Sequence, residues 1–430
     1  MADSYLSSTT SFSNIRPLPR DHHYDSTLAL MRDPYRYIAR QCDLLGADIF
    51  ETRLILHEAV CMRGAEAAAL FYDSTAFQRQ GALPLRLQRT LFGRGGVQTM
   101  DGEAHQRRKR LFLDLMSQEN IDALGEIFEQ QLLKAFGRWR AEPQLVLYEG
   151  LKEVLTRSVC AWAGVPLLES EIDLRKQQLS ALYETAGAIG LKHWQGRWAR
   201  VKAEQWAADW VERVRAGTDE VPQGSPLHAI ATQCNAEGRL LDKRVAAVEV
   251  INLLRPTVAV AVYLLFEAHA LEQLPGLEAR LLNGGSVFRD GFVNEVRRFY
   301  PFFPSVMAVA RHDVAWQGYV IPKGWRAVLD LYGTCHDPRI WQEPETFRPE
   351  RFKDWRDNGF SLIPQGGGQH AGGHRCAGEW VTLELMKRFA RLLCERLEYE
   401  VPPQDLQLDM THLPALPRSR IIIRQIGLRN

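Results

Sequence analysis

The stretch "IPQGGGQHAGGHRCAGEWVTLELMK", Ile363 to Lys387, sets one cysteine among glycines and directly ahead of a helical pattern. Gly366, Gly367, Gly368, Gly372 and Gly373 precede Cys376, and Gly378 follows it. Glycine tolerates positive φ and lets backbone come close to a large flat group. Trp380, Leu383, Met386, Phe389 and Leu393 recur at helical spacing. Cys376 should therefore stand just before a helix N-terminus, where peptide N–H groups and the dipole favour a thiolate. A thiolate shielded by a loop suits the axial ligand of a haem iron, since it donates electron density and favours O–O cleavage. Two other readings stay open. A lone cysteine is among the most buried side chains and can be purely structural. A glycine run can also cradle phosphate, but this one lacks the Gly-Lys-Ser/Thr ending of a P-loop and no apolar strand feeds it.

A second place where residue types imply chemistry is "NLLRPTVAV". Arg255 and Pro256 stand inside a long apolar helical pattern. Proline in a helix interior costs about 3 kcal/mol and frees a carbonyl. A buried guanidinium is costly unless it meets an anion. Either a protein carboxylate pairs with Arg255, or Arg255 awaits an anionic ligand. A third feature is "NEVRRFYPF", with Glu295 and Arg298 three apart, followed by Arg351 in "ETFRPERF". One such helical pair is worth only about 0.2–0.5 kcal/mol. The order of an E-x-x-R helix, a P-E-R-F meander and a glycine-rich cysteine loop is specific as a set.

The elements that must position these residues read mostly as helix. "DIFETRLILHEAVCM" reads as a hairpin, "GAEAAALFYD" as a short helix, and "LFGRGGVQTMDG" as a glycine-containing loop ahead of a basic helix. Amphipathic helix dominates from Asn120 to Trp162 and continues through "EIDLRKQQLSALYETAG" and "VKAEQWAADWVERVRAG". After the break "EVPQGSP" comes the long apolar helix "LDKRVAAVEVINLLRPTVAVAVYLLFEAHALEQ". Strand signals return at "DVAWQGYVIPKGWRAVLDLYG" and at "SRIIIRQIG". The expected fold is mainly α with a small β portion. No composition break splits the chain, so residues 1–430 are expected to form a single domain.

The 430 residues carry a net charge of +1, so no global field favours nucleic acid or an anionic membrane. Seven scattered cysteines with no C-x-x-C pair argue against a disulfide framework and for a reducing compartment. "MADSYLSSTTSFSN" has neither a basic n-region nor an apolar h-region, and no unbroken run of about 18 apolar residues occurs. The expectation is a cytoplasmic protein with no transmembrane segment.

With these motifs in this order, the chain resembles the cytochrome P-450 superfamily of haem-thiolate enzymes. The resemblance covers most of the chain. It implies haem b as cofactor, Cys376 as proximal iron ligand, and Glu295, Arg298 and Arg351 as a network beneath the haem. It implies propionate contacts for His374, at the position two before the cysteine, and for His105 and Lys109 on the basic helix. The sequence departs from the superfamily in two ways. Gln369 stands where phenylalanine is usual, seven before the cysteine, and no acid precedes Thr257 in the long helix.

The second departure points to one branch. "LRPTVAV", "DLYGTCHDPRIW", "FRPERF", "IPQGGG" and "GHRCAGEW" resemble the hydrogen-peroxide-using fatty-acid peroxygenases. That resemblance implies that Arg255 and Pro256 lie over the haem and that Arg255 binds the carboxylate of a long-chain fatty acid. The bound carboxylate then replaces the missing acid–base residue, taking a proton from hydrogen peroxide and returning it. No redox partner is required. The resemblance also implies a distal role for Gln98 and a substrate contact for Phe92 near the α and β carbons. Hydroxylation at those carbons is expected, with some decarboxylation to terminal alkenes. Val258 and Val262 are expected to line the apolar tunnel. The alternatives are a decarboxylase in the main, a reductase-dependent monooxygenase, or a non-catalytic haem-binding sensor.

Overall fold

The computed structural model describes residues 15–218 and 221–429. The N-terminal stretch read above for targeting signals lies outside them. In chain order the elements begin with α1 (Thr27–Arg32), α2 (Tyr37–Leu45), β1 (Ile49–Leu54), β2 (His57–Met62), α3 (Ala65–Phe71), β3 (Phe77–Gln78), α4 (Leu85–Leu91) and α5 (Gly102–Leu115). Next come α6 (Gln118–Trp139), β4 (Gln144–Val146), α7 (Leu147–Ala163), α8 (Ile172–Glu184), α9 (Leu191–Ala216), α10 (Pro226–Ala231), α11 (Lys243–Ala259) and α12 (Ala261–Gln273). The chain ends with α13 (Leu277–Asn283), α14 (Gly285–Phe299), β5 (Ser305–Ala310), β6 (Val314–Trp316), β7 (Tyr319–Ile321), β8 (Arg326–Asp330), α15 (Leu331–Cys335), α16 (Glu379–Arg396), β9 (Leu397–Glu400) and β10 (Ile422–Leu428). Mainly α with a small β portion is the architecture observed.

The expected hairpin is β1 paired antiparallel with β2. It joins a five-stranded sheet of order β1-β2-β8-β5-β3, in which β2 and β8 run parallel. Side chains alternate across a strand, and β2 shows this: Val60 and Met62 enter one apolar cluster, Ala59 and Cys61 another. The largest cluster is helical. It gathers Phe128 and Leu132 of α6, Leu151 and Leu155 of α7, Leu254 and Val258 of α11, Val262 of α12 and Phe389 of α16.

The long apolar helix is one rod with a break. α11 ends at Ala259 and α12 begins at Ala261. Pro256 has no N–H, so the Asn252 carbonyl loses its helical donor. Four residues later the Val260 N–H bonds Thr257 O at 3.2 Å, a tighter turn than an α-helix makes. The rod Lys243–Gln273 is long and apolar enough to cross a bilayer, but 89% of its apolar window is buried inside the protein. The helix expected after the cysteine is α16, which starts at Glu379 with Gly378 as N-cap. Of the residues at helical spacing, Met386, Phe389 and Leu393 are buried. Trp380 is 46% exposed, and Val381, Leu385, Met386, Phe389 and Leu392 turn inward.

Candidate active site

Cys376 sits in the long connection between α15 and α16, shortly before the latter helix begins. Its N–H donates to Gln365 O at 3.1 Å. The Gln365 amide Nε2 reaches Cys376 Sγ at 4.0 Å and donates to Thr382 Oγ1 at 3.0 Å, while its Oε1 accepts from Arg297 Nε at 3.1 Å. Arg375 donates to both oxygens of Glu379, at 2.6 and 3.0 Å, and Arg297 Nη2 donates to the same carboxylate at 2.5 Å. Lys109 Nζ clamps the loop from α5 by donating to the carbonyls of Gly373 and of Arg375, the latter at 2.8 Å. Burial pushes the Cys376 thiol up, Glu379 adds to this, and the Gly378 N–H, Lys109 and Arg297 pull it down. The residue as a whole keeps some accessible surface.

The glycine run answers first to the protein's own packing. A Cβ on Gly367 would lie 2.6 Å from Gly359 O, and one on Gly366 would lie 3.0 Å from the Tyr72 hydroxyl. Gly366 also has φ of +89°, in the region that L side chains rarely adopt.

Arg255 is 5% exposed on α11. Among the described residues no carboxylate pairs with it, and its Nε has no hydrogen-bond partner. Its guanidinium lies 5.8 Å from the centre of the Phe92 ring. Burial pushes Arg255 down to about 9, Arg200 reinforces the effect, and Cys376 and Tyr183 oppose it. The reading in which a protein carboxylate neutralises Arg255 is thereby removed.

Gln98 lies in a short turn, Val97–Thr99, after Gly96. A side chain on Gly96 would meet Asn252 Nδ2 at 2.6 Å and Phe92 O at 2.7 Å. Asn252, one turn before Arg255, is the hub here. Its Nδ2 reaches Glu249 Oε2 at 3.0 Å, Phe92 O at 3.2 Å and Gln98 Oε1 at 3.3 Å. Three acceptors on one side fix the amide orientation, and Asn252 Oδ1 is left buried without a partner. Glu249 is fully buried and accepts from the Val97 N–H at 3.1 Å and from Arg108 Nη1 at 2.6 Å. Arg200 of α9 donates to Phe92 O at 3.2 Å and to Leu91 O at 3.3 Å. Phe92 and Gln98 are thus held from α9 and α11, and the Gln98 amide N–H groups remain to donate.

Under the cysteine loop, Glu295 pairs with Arg298 through two bonds of 2.8 Å and with Arg351 at 3.0 Å. Arg298 also donates to Cys335 O at 2.9 Å.

A family model described as Cytochrome P450 matches residues 288–423. Among curated proteins, cytochrome P450 71A8 of Mentha piperita is 32% identical over 135 residues, 30% of this chain and 26% of that protein. The match thus spans about a quarter of that relative's length. Likeness to solved structures runs nearly end to end. A variant of cytochrome P450SP alpha (CYP152B1) is 47% identical with a TM-score of 0.92, covering 94% of this chain and all of the other. The chain belongs to the cytochrome P450 superfamily. Its structural likeness lies in the CYP152 branch. Cytochrome P450EX alpha (CYP152N1), solved with myristic acid, is 41% identical, with a TM-score of 0.93 and coverage of 96% and 100%. A variant of cytochrome P450 OleT in complex with arachidonic acid is 32% identical, with a TM-score of 0.94 and coverage of 96% and 99%.

The side chains of this P450 fit a haem. Cys376, partly accessible in its loop, supplies the soft ligand, and a group of basic side chains suits two propionates. His105 stacks on His374 at 4.0 Å, and His374 Nε2 lies 3.5 Å from Asp101 Oδ1. Burial, with His374 and Lys109 beside it, pushes His105 down to about 3. Burial likewise pushes Lys109 down to about 8. Arg79 joins this group. Its guanidinium lies 4.1 Å from the Phe71 ring centre, and burial pushes it down to about 10. Asp101 is held well below the usual carboxylate range by His374 and by the N–H groups of Arg79 and Gln80, which outweigh burial. Sequence reasoning missed Arg79, Arg108, Arg200, Glu249, Asn252 and Gln365, all of which act across long stretches of chain.

Proposed function

We propose that this P450 uses hydrogen peroxide to hydroxylate long-chain fatty acids at the α and β carbons, with some oxidative decarboxylation to terminal alkenes. The observation that carries this reading is the buried, unpaired guanidinium of Arg255 beside Phe92 and within the electrostatic reach of Cys376. An anion is the ligand it lacks, and an acyl chain suits the apolar α11 surface around it. The CYP152 relatives solved with myristic and arachidonic acids support the same substrate class.

Cys376 would hold haem b, whose iron would supply the chemistry that activates peroxide. Arg255 binds the substrate carboxylate and fixes the carbons next to it. That carboxylate, held in place, takes a proton from peroxide and returns it to the departing oxygen. Pro256 continues the wall after Arg255 and offers no N–H to compete for the anion. Phe92 packs on the first carbons of the chain, and Gln98 donates from the opposite loop. Arg79, His105 and His374 hold the propionates, while Lys109 secures the loop and has one N–H left for them. No redox partner is needed and no nucleic acid is bound. The chain works as one domain in the cytoplasm, a placement supported by seven free cysteines and a buried apolar rod.

The test is product analysis after peroxide alone is added to the haem-loaded protein with a series of saturated fatty acids. Hydroxy acids should appear without NADPH or a reductase. Turnover that requires the reductase, with none from peroxide, overturns the proposal.

A further inference from the structure

The outer face of the first half of α9 is apolar and faces solvent. Leu191, Trp194, Trp198 and Val201 recur at three- and four-residue spacing and are 89%, 63%, 65% and 50% exposed. The opposite face of the same turns, with His193, Gly196, Arg200 and Ala203, is buried. Single exposed apolar residues are ordinary, but two tryptophans, a leucine and a valine in one stripe are not. Ile189 and, on α4, Leu85 extend the patch and are also exposed. Arg86 Nη2 meets Ala188 O at 3.3 Å and Arg197 Nη1 meets Arg89 O at 2.5 Å, which joins α4 and the start of α9 into one surface.

The charges on this patch are mainly positive, with Glu184 and Glu204 at its edges. Residues 79–100 and 185–203 contain no aspartate or glutamate, yet carry Arg79, Arg86, Arg89, Arg94, Lys192, Arg197, Arg200 and Lys202. Of these, Arg86, Arg94, Lys192 and Lys202 are exposed. Burial depresses the Arg197 guanidinium, and Arg89 and Arg94 depress it further against the pull of Glu204.

We infer that this face of α4 and α9 docks on an anionic lipid bilayer, with Trp194 and Trp198 in the headgroup layer. Tryptophan favours that layer because its ring is apolar and its N–H is polar. A helix with apolar residues on one side and lysine or arginine beside them lies in the plane of such a surface. A second copy of the chain fits less well, because a symmetric contact would bring like charges together. The inference rests on surface geometry and not on the fatty-acid reading. If both hold, acyl chains dissolved in the bilayer lie next to the segment that ends at Phe92.

The test is co-sedimentation of the haem-loaded protein with vesicles of phosphatidylcholine, with or without phosphatidylglycerol. Binding to the anionic vesicles should blue-shift tryptophan emission, and should weaken at least tenfold without phosphatidylglycerol or in about 0.5 M salt. The double variant Trp194→Ser, Trp198→Ser should lose at least tenfold in binding while keeping its carbon-monoxide spectrum and its melting temperature. Lys192→Glu with Lys202→Glu should weaken binding in low salt alone. Wild-type protein that ignores anionic vesicles overturns the inference, as does a tryptophan variant that still binds them. Self-association through Trp194 and Trp198, without vesicle binding, assigns the face to a second copy and overturns it too.

Discussion

Arg255 pays the cost of burial without an internal partner, and that sets what its removal should do. A charge-assisted bond to a carboxylate is worth about 1.5–3 kcal/mol, roughly 10- to 150-fold in an equilibrium. Arg255→Ala should therefore lower kcat/KM for fatty acids by at least that factor while the carbon-monoxide spectrum stays unchanged. Its melting temperature should hold or rise, because an uncompensated buried charge has gone. Arg255→Lys should remain poor, since an ammonium cannot form the planar two-pronged contact. Undiminished turnover in Arg255→Ala would remove the carboxylate-assisted mechanism. The neighbouring hub should bear on product choice. A radical at the β carbon either takes up hydroxyl, giving hydroxy acid, or loses a second electron and carbon dioxide, giving alkene. Gln98 does not titrate, whereas imidazole exchanges protons near neutral pH. Gln98→His should raise the alkene fraction modestly over a wild type that makes mainly hydroxy acid. Asn252, bonded to Gln98 and to the Phe92 carbonyl, should act on this choice through them. Asn252→Leu and Gln98→Leu should each shift the ratio of hydroxy acid to alkene, and the double variant should shift it by less than the sum. Additive shifts in the gas-chromatographic ratio would show that Asn252 does not work through Gln98.

At the scale of elements, the sequence was most legible where contacts are local. The hairpin of β1 and β2, the helix after Cys376 and the arginine buried in α11 each follow from periodicity within a dozen residues. The hub was not legible. Its bonds to Gln98, Val97 and Arg108 join residues 141 to 154 apart, and nothing near Asn252 or Glu249 marks them as partners. Gln365 escaped for a similar reason: its tie to the sulfur crosses a folded loop, and sequence reasoning looked instead at Gln369. In the first turn of α16, Trp380 keeps the helical spacing but emerges where the helix leaves the loop. The α12 segment holds a different surprise. Glu267 is fully buried and neither carboxyl oxygen has a partner. Burial raises it well above the ordinary value of 4.5, which favours the protonated form in the fold. In the unfolded chain it ionises near 4.5. Stability is therefore fully present below that pH and is lost as pH rises towards the folded value. Glu267→Gln cannot ionise and should gain about 1–3 kcal/mol relative to the wild type at about pH 8. The gain should shrink at about pH 5. Calorimetry at both values checks this, and an increment independent of pH would mean that Glu267 finds a partner in solution.

For the molecule as a whole, charge and cofactor each tie distant parts together. A net charge of +1 hides an asymmetry, because two acid-free segments carry eight cations and leave the remainder net negative. The proposed haem contacts come from the segment before α4, from α5 and from the cysteine loop, while the proposed substrate contacts come from Phe92, just after α4, and from α11. Haem should therefore couple the sheet side of the protein to its helical core and stabilise both. A ligand that binds the folded state alone adds about 2.7 kcal/mol when present at about a hundred times its dissociation constant. Spread over the unfolding entropy of 430 residues, this is a rise of roughly 3 °C for that hundredfold excess. Haem-loaded protein should melt several degrees above the haem-free form. Cys376→Ser removes the proposed iron ligand but leaves the loop bonds of Lys109, Arg375 and Arg297 in place. Its haem-free form should melt close to the haem-free wild type, because those bonds and not the thiol hold the loop. Most of the increment on adding haem should vanish, along with the red-shifted band of the carbon-monoxide complex. A serine variant that keeps the full increment and the band would show that the iron is held elsewhere.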